Sequence, residues 1–415
     1  MNKFEKMIYD LVRFQPKLKH RIVATYQRIF SIFPSKDLRS TYPITIRQNY
    51  FFGFHDKCPW SHDDKYLLAH KCSFDGRLPE KEDEAEIGYF TERNQSTFQS
   101  IAKTNALNWQ TGSMLQWIGK KDQIIFNYIH NGLHVAKIVE RDGKLVKELP
   151  FPVAGVSPDG HYMLSHSFNR LRKAAPAYGY AFGEEDSMDA PMPKDSGLIL
   201  MDLKENKHKM MFSIQDIAKF DANYESGSNY HYFSHCLFSP DGKRFAFYHR
   251  WLNSNGQTWT RLFTSDLNGM NVKLHNFSGV VTHCAWRDTK SLLVYAFKKE
   301  TKDHYYLLND NTGKSEIIGR NDFTSDGHPQ FSPSGDTFVT DTYPDRRRRQ
   351  LLILYDMKKK KRYNIAVVRS PLNFTGDIRC DLHPRWNRKG TLIAFDSAHT
   401  GIRSLCTLSL RLDSL

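Results

Sequence analysis

The chain has 415 residues, 40% of them hydrophobic and 13% aromatic, enough to bury a large core, and its length fits two ordinary domains or one repeat fold, which we read as one globular unit. Its formal charge of +14, from 59 Lys and Arg against 45 Asp and Glu, suits a polyanionic partner such as nucleic acid, an acidic polysaccharide or an anionic membrane surface. Six cysteines (Cys58, Cys72, Cys236, Cys284, Cys380, Cys406) without a CxxC pair, no apolar run near the roughly 18 residues of a spanning helix, and no signal-peptide core exclude a disulfide scaffold and a membrane-spanning protein, and predict a cytoplasmic one.

Residues 1–40 carry nine Lys or Arg against three Asp or Glu, and apolar residues recur at helical spacing on both sides of Pro16. This predicts a short α-helical extension of two basic amphipathic helices. Such helices attach a protein electrostatically to an anionic membrane surface, peripheral to the inner membrane, or pack their apolar face on the main domain.

From residue 41 the chain reads as β and repeats. An aromatic or aliphatic residue, a four-residue polar turn and a hydrophobic strand recur at Trp60, Trp117, Val156, Phe238, Trp286, Phe331 and Trp386, with spacings of 57, 39, 82, 48, 45 and 55. Most of these lie near the roughly 40 to 50 residues of a four-stranded propeller blade. The predicted fold is therefore all-β, a seven-bladed β-propeller of four-stranded blades over residues 41–415, with the stretch near residue 45 completing the last blade and closing the ring. The spacing of 82 predicts an insertion at about 171–226, a long excursion suited to binding groups.

With the aromatic as position zero, position minus three holds Lys57, Met114, Val153, His235, His283, His328 and His383. Four consecutive blades thus place histidine in one column. Position plus ten holds His70, Asn127, His166, Tyr248, Ala296, Asp341 and Asp396. In a four-residue hairpin zero pairs with plus seven, so these two columns should be cross-strand neighbours. The four histidines should then meet at one mouth of the central channel, with Asp341 beside His328 and Asp396 beside His383 to fix the imidazole tautomers.

Two chemistries fit such a ring. The imidazoles, with Asp326, Asp381 or Cys380, form a site for a divalent metal such as Zn²⁺ or Mn²⁺. Alternatively they exchange protons beside arginines that neutralise a uronic-acid carboxylate, so that the C5 proton can leave in a β-elimination. Polar residues placed to serve are His166, Arg170, Arg172, Tyr178, Tyr180, His249, Arg250 and Arg379. The run Arg346 to Arg349 reads as a solvated basic turn.

The S-P-D-G hairpins resemble the TolB-type propeller repeat over residues 50–410. "GHPQFSPSG" and "DLHPRWNRKGTLIAFDSAHTG" resemble the last blades of oligogalacturonate lyases, which implies β-elimination on uronic-acid oligomers with a divalent metal held by three histidines and a glutamine. The resemblance makes His383 a metal ligand; Asp381 stands where the family has a further histidine, and the glutamine has no counterpart. The chain as a whole, including "FFGFHDKCPWS" and "RCDLHPRWNRKG", is similar to propeller proteins encoded among bacterial capsule and O-antigen synthesis genes, which implies a polysaccharide context. Two functions follow: a metal-dependent lyase-like enzyme on an acidic polysaccharide or oligosaccharide, or a non-catalytic glycan-binding or scaffold propeller. Nucleic acid is not the expected partner, because the basic residues are scattered and no reading motif is present.

Overall fold

The structure is a computed structural model that describes residues 3–12, 15–30, 32, 38–91, 97–221, 229–253 and 256–410. Seven antiparallel sheets follow one another along the chain, at 50–104, 116–149, 155–213, 230–274, 281–318, 330–369 and 385–409; we call them blades 1 to 7. The expected ring is present, and it closes as expected: Ile44–Gln48 pairs antiparallel with Ser404–Ser409 and forms the outer strand of blade 7. Residues 38–40, grouped in the sequence with the helical extension, instead add a fifth outer strand to blade 6. Before them lie two helices, α1 (Lys3–Val12) and α2 (Pro16–Phe30). No helix among the described residues is long and apolar enough to cross a membrane.

The turns explain why the repeat was visible. In blade 3 the Ser157 hydroxyl accepts from the Tyr162 amide at 2.9 Å and the Asp159 carboxylate accepts from the His161 amide at 3.0 Å. Gly160 takes φ +71°, a left-handed conformation that glycine adopts without strain. The same closure recurs at Ser239 and Gly242 in blade 4. Zero pairs with plus seven in six of the hairpins, as in Phe331 with Phe338 and Trp386 with Ile393. Blade 5 departs: its glycine-free turn is one residue shorter, so Trp286 pairs with Leu292 and His283 faces Tyr295 rather than Ala296.

The core lies between neighbouring blades. Phe245, Phe247 and Phe263 of blade 4 meet Leu164, Leu198 and Leu200 of blade 3. On the other side Ala246, Tyr248 and Leu262 meet Val281, Leu292 and Val294 of blade 5. Alternate residues of one strand therefore serve opposite interfaces.

The insertion is shorter than expected and split. Gly197–Asp202 and Lys207–Ser213 are the third and fourth strands of blade 3, so residues 197–213 belong to the blade. The excursion runs from α3 (Phe168–Ala174) to residue 196, and a second one starts with α4 (Ile214–Ala218); residues 222–228 lie outside the described residues. Arg170, fully buried, pins the first excursion by donating to the carbonyls of Ser187, Ala190, Pro191 and His231 at 2.8–3.3 Å.

Candidate functional site

The four column histidines reach the channel axis from blades 4 to 7. Ring centroids are 6.2 Å apart for His235 and His283, 4.2 Å for His283 and His328, and 4.3 Å for His328 and His383. Two of the four sit in the left-handed region, His235 at φ +54° and His383 at φ +44°. Conformations that non-glycine residues rarely adopt cost free energy and cluster at functional sites.

Carboxylates fix two of the rings. Asp341 accepts from His328 Nδ1 at 2.8 and 3.0 Å and from the His328 amide at 2.8 Å, and it also accepts the amides of Leu382 and His383 at 3.1 Å. One carboxylate thus binds blade 6 to blade 7 and turns His328 Nε2 toward the axis. Burial works against a charged His328 ring, but Asp341, with Asp381 and Asp326, outweighs it and raises the pKa. Asp326 accepts from His283 Nδ1 at 3.1 Å. Burial holds His235, His283 and His383 below the usual imidazole range, so they are neutral.

Asp381 completes a set of three. One ligand atom each from His328, Asp381 and His383 lies within 4.8 Å of the others, all three residues being buried. His328 Nε2, His383 Nε2 and Asp381 Oδ1 are each buried without a hydrogen-bond partner. Burying such atoms unpaired is costly, and native proteins rarely do it without a ligand, ion or water. His235 Nε2 is in the same condition. The other oxygen of Asp381 accepts from Arg379 Nε at 2.7 Å, and Arg379 Nη2 donates to the Tyr178 hydroxyl at 2.9 Å. Despite burial, Asp381 and the neighbouring tyrosines raise the Arg379 pKa, so it is fully charged. Burial raises the Tyr178 pKa, which Arg379 partly offsets. Arg250 is near, donating to the Thr282 carbonyl at 3.4 Å with its Nε buried and unpaired.

Several expected members stand elsewhere. Asp396 does not touch His383: it holds buried Arg385 at 2.6 Å and accepts the amides of Phe52 and Gly53. A buried guanidinium two residues beyond the histidine takes the carboxylate, because an unpaired buried charge is the costlier defect. Cys380 packs with Phe374 and Ala398 and stands outside the set formed by His328, Asp381 and His383; burial pushes its thiol up to about 12. His249 points to the interface of blades 3 and 4, between His231 Nδ1 at 3.0 Å and Arg261, because strand alternation sends it opposite to Tyr248 and Arg250. Arg170 is the structural pin described above, and Arg172 donates to the Pro176 carbonyl at 2.8 Å within the same excursion. Tyr180 is buried against Phe168, its hydroxyl accepting from Asn127. His166 stacks on Phe168, and burial lowers it to about 4.

Three residues at the axis escaped the repeat pattern. Phe54 contacts His235, His283, His328 and His383 at centroid distances of 4.8–6.0 Å. Next to it His55 donates from Nδ1 to the Pro329 carbonyl at 2.8 Å and leaves Nε2 buried and unpaired. Tyr343 lies 5.5 Å from the His328 ring. The signal for His55 was the histidine in "FFGFHDK", two residues before the Lys57 that occupies blade 1's place in the column. At the hairpin-turn end the channel widens into a separate cavity of about 530 Å³, lined by Lys57, Cys236, Cys284 and Gln330 among others and by none of the column histidines.

Against solved structures, the chain is similar to oligogalacturonate lyase from Vibrio parahaemolyticus, with 15% identity, a TM-score of 0.59, and coverage of 91% of this chain and 94% of that one. The likeness is one of fold. A chain of the mitotic checkpoint complex aligns with 11% identity and a TM-score of 0.53 over 91% of this chain and 94% of its own. TolB from Acinetobacter baumannii aligns over 84% of this chain and 80% of its own with 15% identity and a TM-score of 0.40. No family model matches the chain, and comparison with curated proteins finds no relative.

Proposed function

We propose that the histidine-lined mouth is the centre of a metal-dependent, lyase-like reaction on an acidic, uronic-acid polysaccharide or oligosaccharide. The observation that carries this reading is the set of His328, Asp381 and His383, which bring one ligand atom each within 4.8 Å of the others and each leave a buried atom unpaired. Two imidazoles and a carboxylate suit Mn²⁺ or Zn²⁺, and His283, oriented by Asp326, stands beside them. Held there by His328, Asp381 and His383, a divalent ion would supply positive charge to a substrate carboxylate and so would acidify the proton at C5.

The chain's own groups fit the remaining needs. Arg379 and Arg250 present charge for a uronate carboxylate. Neutral His235, with Nε2 unpaired, accepts the C5 proton. The Tyr178 hydroxyl, held by Arg379, donates to the departing glycosidic oxygen. The C5–H and C4–O bonds break, a C4–C5 double bond forms, and the proton lost to histidine is matched by one delivered to the leaving oxygen. The name of the similar lyase structure supports the same reading.

A second reading, a glycan-binding or scaffold propeller without catalysis, draws on one observation: Phe54 sits among the four histidines and narrows the space for a sugar. Metal analysis of the purified protein, with an absorbance assay for unsaturated uronate across acidic glycans, tests both. Stoichiometric metal and an unsaturated product are expected. Metal without product across a broad panel favours the binding reading, and no metal with no effect of chelator on stability sinks the metal centre.

A further inference from the structure

The N-terminal helices meet the propeller with one side and leave an apolar row on the other. Gln27 of α2 is buried: its amide nitrogen donates to the carbonyls of Pro344 at 2.9 Å and Asp345 at 3.3 Å, and its oxygen accepts from Arg348 at 2.8 Å. At about 100° per residue, Leu18, Ile22 and Ile29 fall within about 40° of one another and about 180° from Gln27. Leu18 and Ile29 are exposed, the latter at 55%. In α1, Glu5 accepts from the Tyr26 hydroxyl at 3.1 Å and pairs with Arg346 at 3.7 Å. On the side away from Glu5, Met7 and Leu11 are exposed, Leu11 at 73%. Arg21 and Arg28, both exposed, lie along one flank of the α2 row.

The helices also rest on the loops that line the histidine mouth. Pro344 directly follows Tyr343, whose ring is 5.5 Å from His328. Arg348, which holds Gln27, also donates to the Phe374 carbonyl at 2.6 Å, at the start of the loop that carries Arg379. The apolar row and the mouth therefore share one side of the ring.

We propose that α1 and α2 dock this protein on an anionic lipid bilayer, with the histidine mouth turned toward the lipid surface. An apolar row flanked by arginines is the pattern of an interfacial helix, and the chain's charge of +14 complements anionic headgroups. Burying such a row in the headgroup boundary removes its apolar area from water, while the arginines stay at phosphate level. The inference stands whether or not the mouth is catalytic, since it uses neither the metal ligands nor a substrate.

Co-sedimentation of the full chain with vesicles tests it. Binding is expected to phosphatidylglycerol-containing vesicles and at least tenfold weaker to pure phosphatidylcholine. Leu18→Glu with Ile29→Glu should weaken binding at least tenfold with the melting temperature unchanged. Arg21→Glu is a milder second variant, expected to weaken binding to phosphatidylglycerol vesicles and to flatten its loss with added salt. Hydrogen exchange on bound vesicles should slow at 343–349 and 370–379 and stay unchanged at the turns 157–160 and 239–242. Equal binding to both vesicle types, variants that bind like the parent, or protection at the turns would overturn the proposal. A dimer dissolved by the double variant, without vesicle binding, would overturn it in favour of a second copy of the chain.

Discussion

Asp341 serves three neighbours with two oxygens, and its removal separates ligand geometry from overall stability. Asp341→Asn keeps the shape but weakens the hold on His328 Nδ1 and on the amides of Leu382 and His383. We expect metal affinity to fall about 10- to 100-fold, the usual effect of losing an outer partner, measured by competition with a chelating dye. The pair also sets a pH dependence in the metal-free protein. His328 is raised in the fold and Asp341 lowered, so their contribution is complete between the unfolded values of about 3.9 and about 6.5. It fades as pH falls below that window, and it fades as pH rises through the raised value of His328. Chelator-treated protein should therefore lose melting temperature on going from about pH 6 to alkaline pH, and His328→Gln should flatten that decline. The histidine column was legible because four blades repeat it. The fate of Asp396 was not: it shares a column with Asp341, but Arg385 stands where blade 6 has Gln330, and that one charge redirects the carboxylate.

At the scale of elements, one guanidinium gathers four carbonyls of the first excursion of blade 3 and its neighbouring strand. Arg170→Met leaves the carbonyls of Ser187, Ala190, Pro191 and His231 without their donor, at a cost of about 3 kcal/mol. We expect a lower unfolding midpoint, faster proteolysis within 176–196, and weaker glycan binding through the loss of Tyr178 from the mouth. A variant as protease-resistant as the parent would show that other contacts hold the loop. The sequence pointed to Arg170 as a polar residue of the mouth because nothing in a linear reading distinguishes a guanidinium aimed at a ligand from one aimed at carbonyls. Turn chemistry was far more readable. Ser, Asp and Gly at fixed offsets close most of the hairpins themselves, so register follows from composition there, and blade 5, whose turn is one residue shorter, slips by one residue.

For the whole molecule, the ring depends on residues that precede it. Removing residues 1–36 takes away the helices and leaves both N-terminal strands in place, so the melting temperature should change by only a few degrees. Extending the deletion through residue 48 strips the outer strands of blades 6 and 7 and exposes two unpaired edges. We expect that form to unfold cooperatively at a far lower temperature or to aggregate, as read by scanning calorimetry and light scattering; equal stability of the two truncations would mean that the ring does not need its N-terminal strands. Blade number and closure were both visible in the chain because hydrophobic strands and turns recur at blade spacing. The axis was not, since Phe54 and His55 lie in irregular backbone where neither period 2 nor period 3.6 applies.

The pairing of Ile44 with Leu408 also orders events during synthesis. The outer strand of blade 7 leaves the ribosome before every strand from residue 50 onward and meets its partner only when residues 404–409 have emerged. Until then each completed blade can pack on the one before it, but the ring stays open and the last blade has no clasp. The channel mouth is built from blades 4 to 7 and from residues 54 and 55 of blade 1, so Phe54 and His55 meet the His383 ring only at that final joining. A nascent chain stalled short of residue 404 would hold every candidate ligand in a mouth that blade 1 has not yet closed.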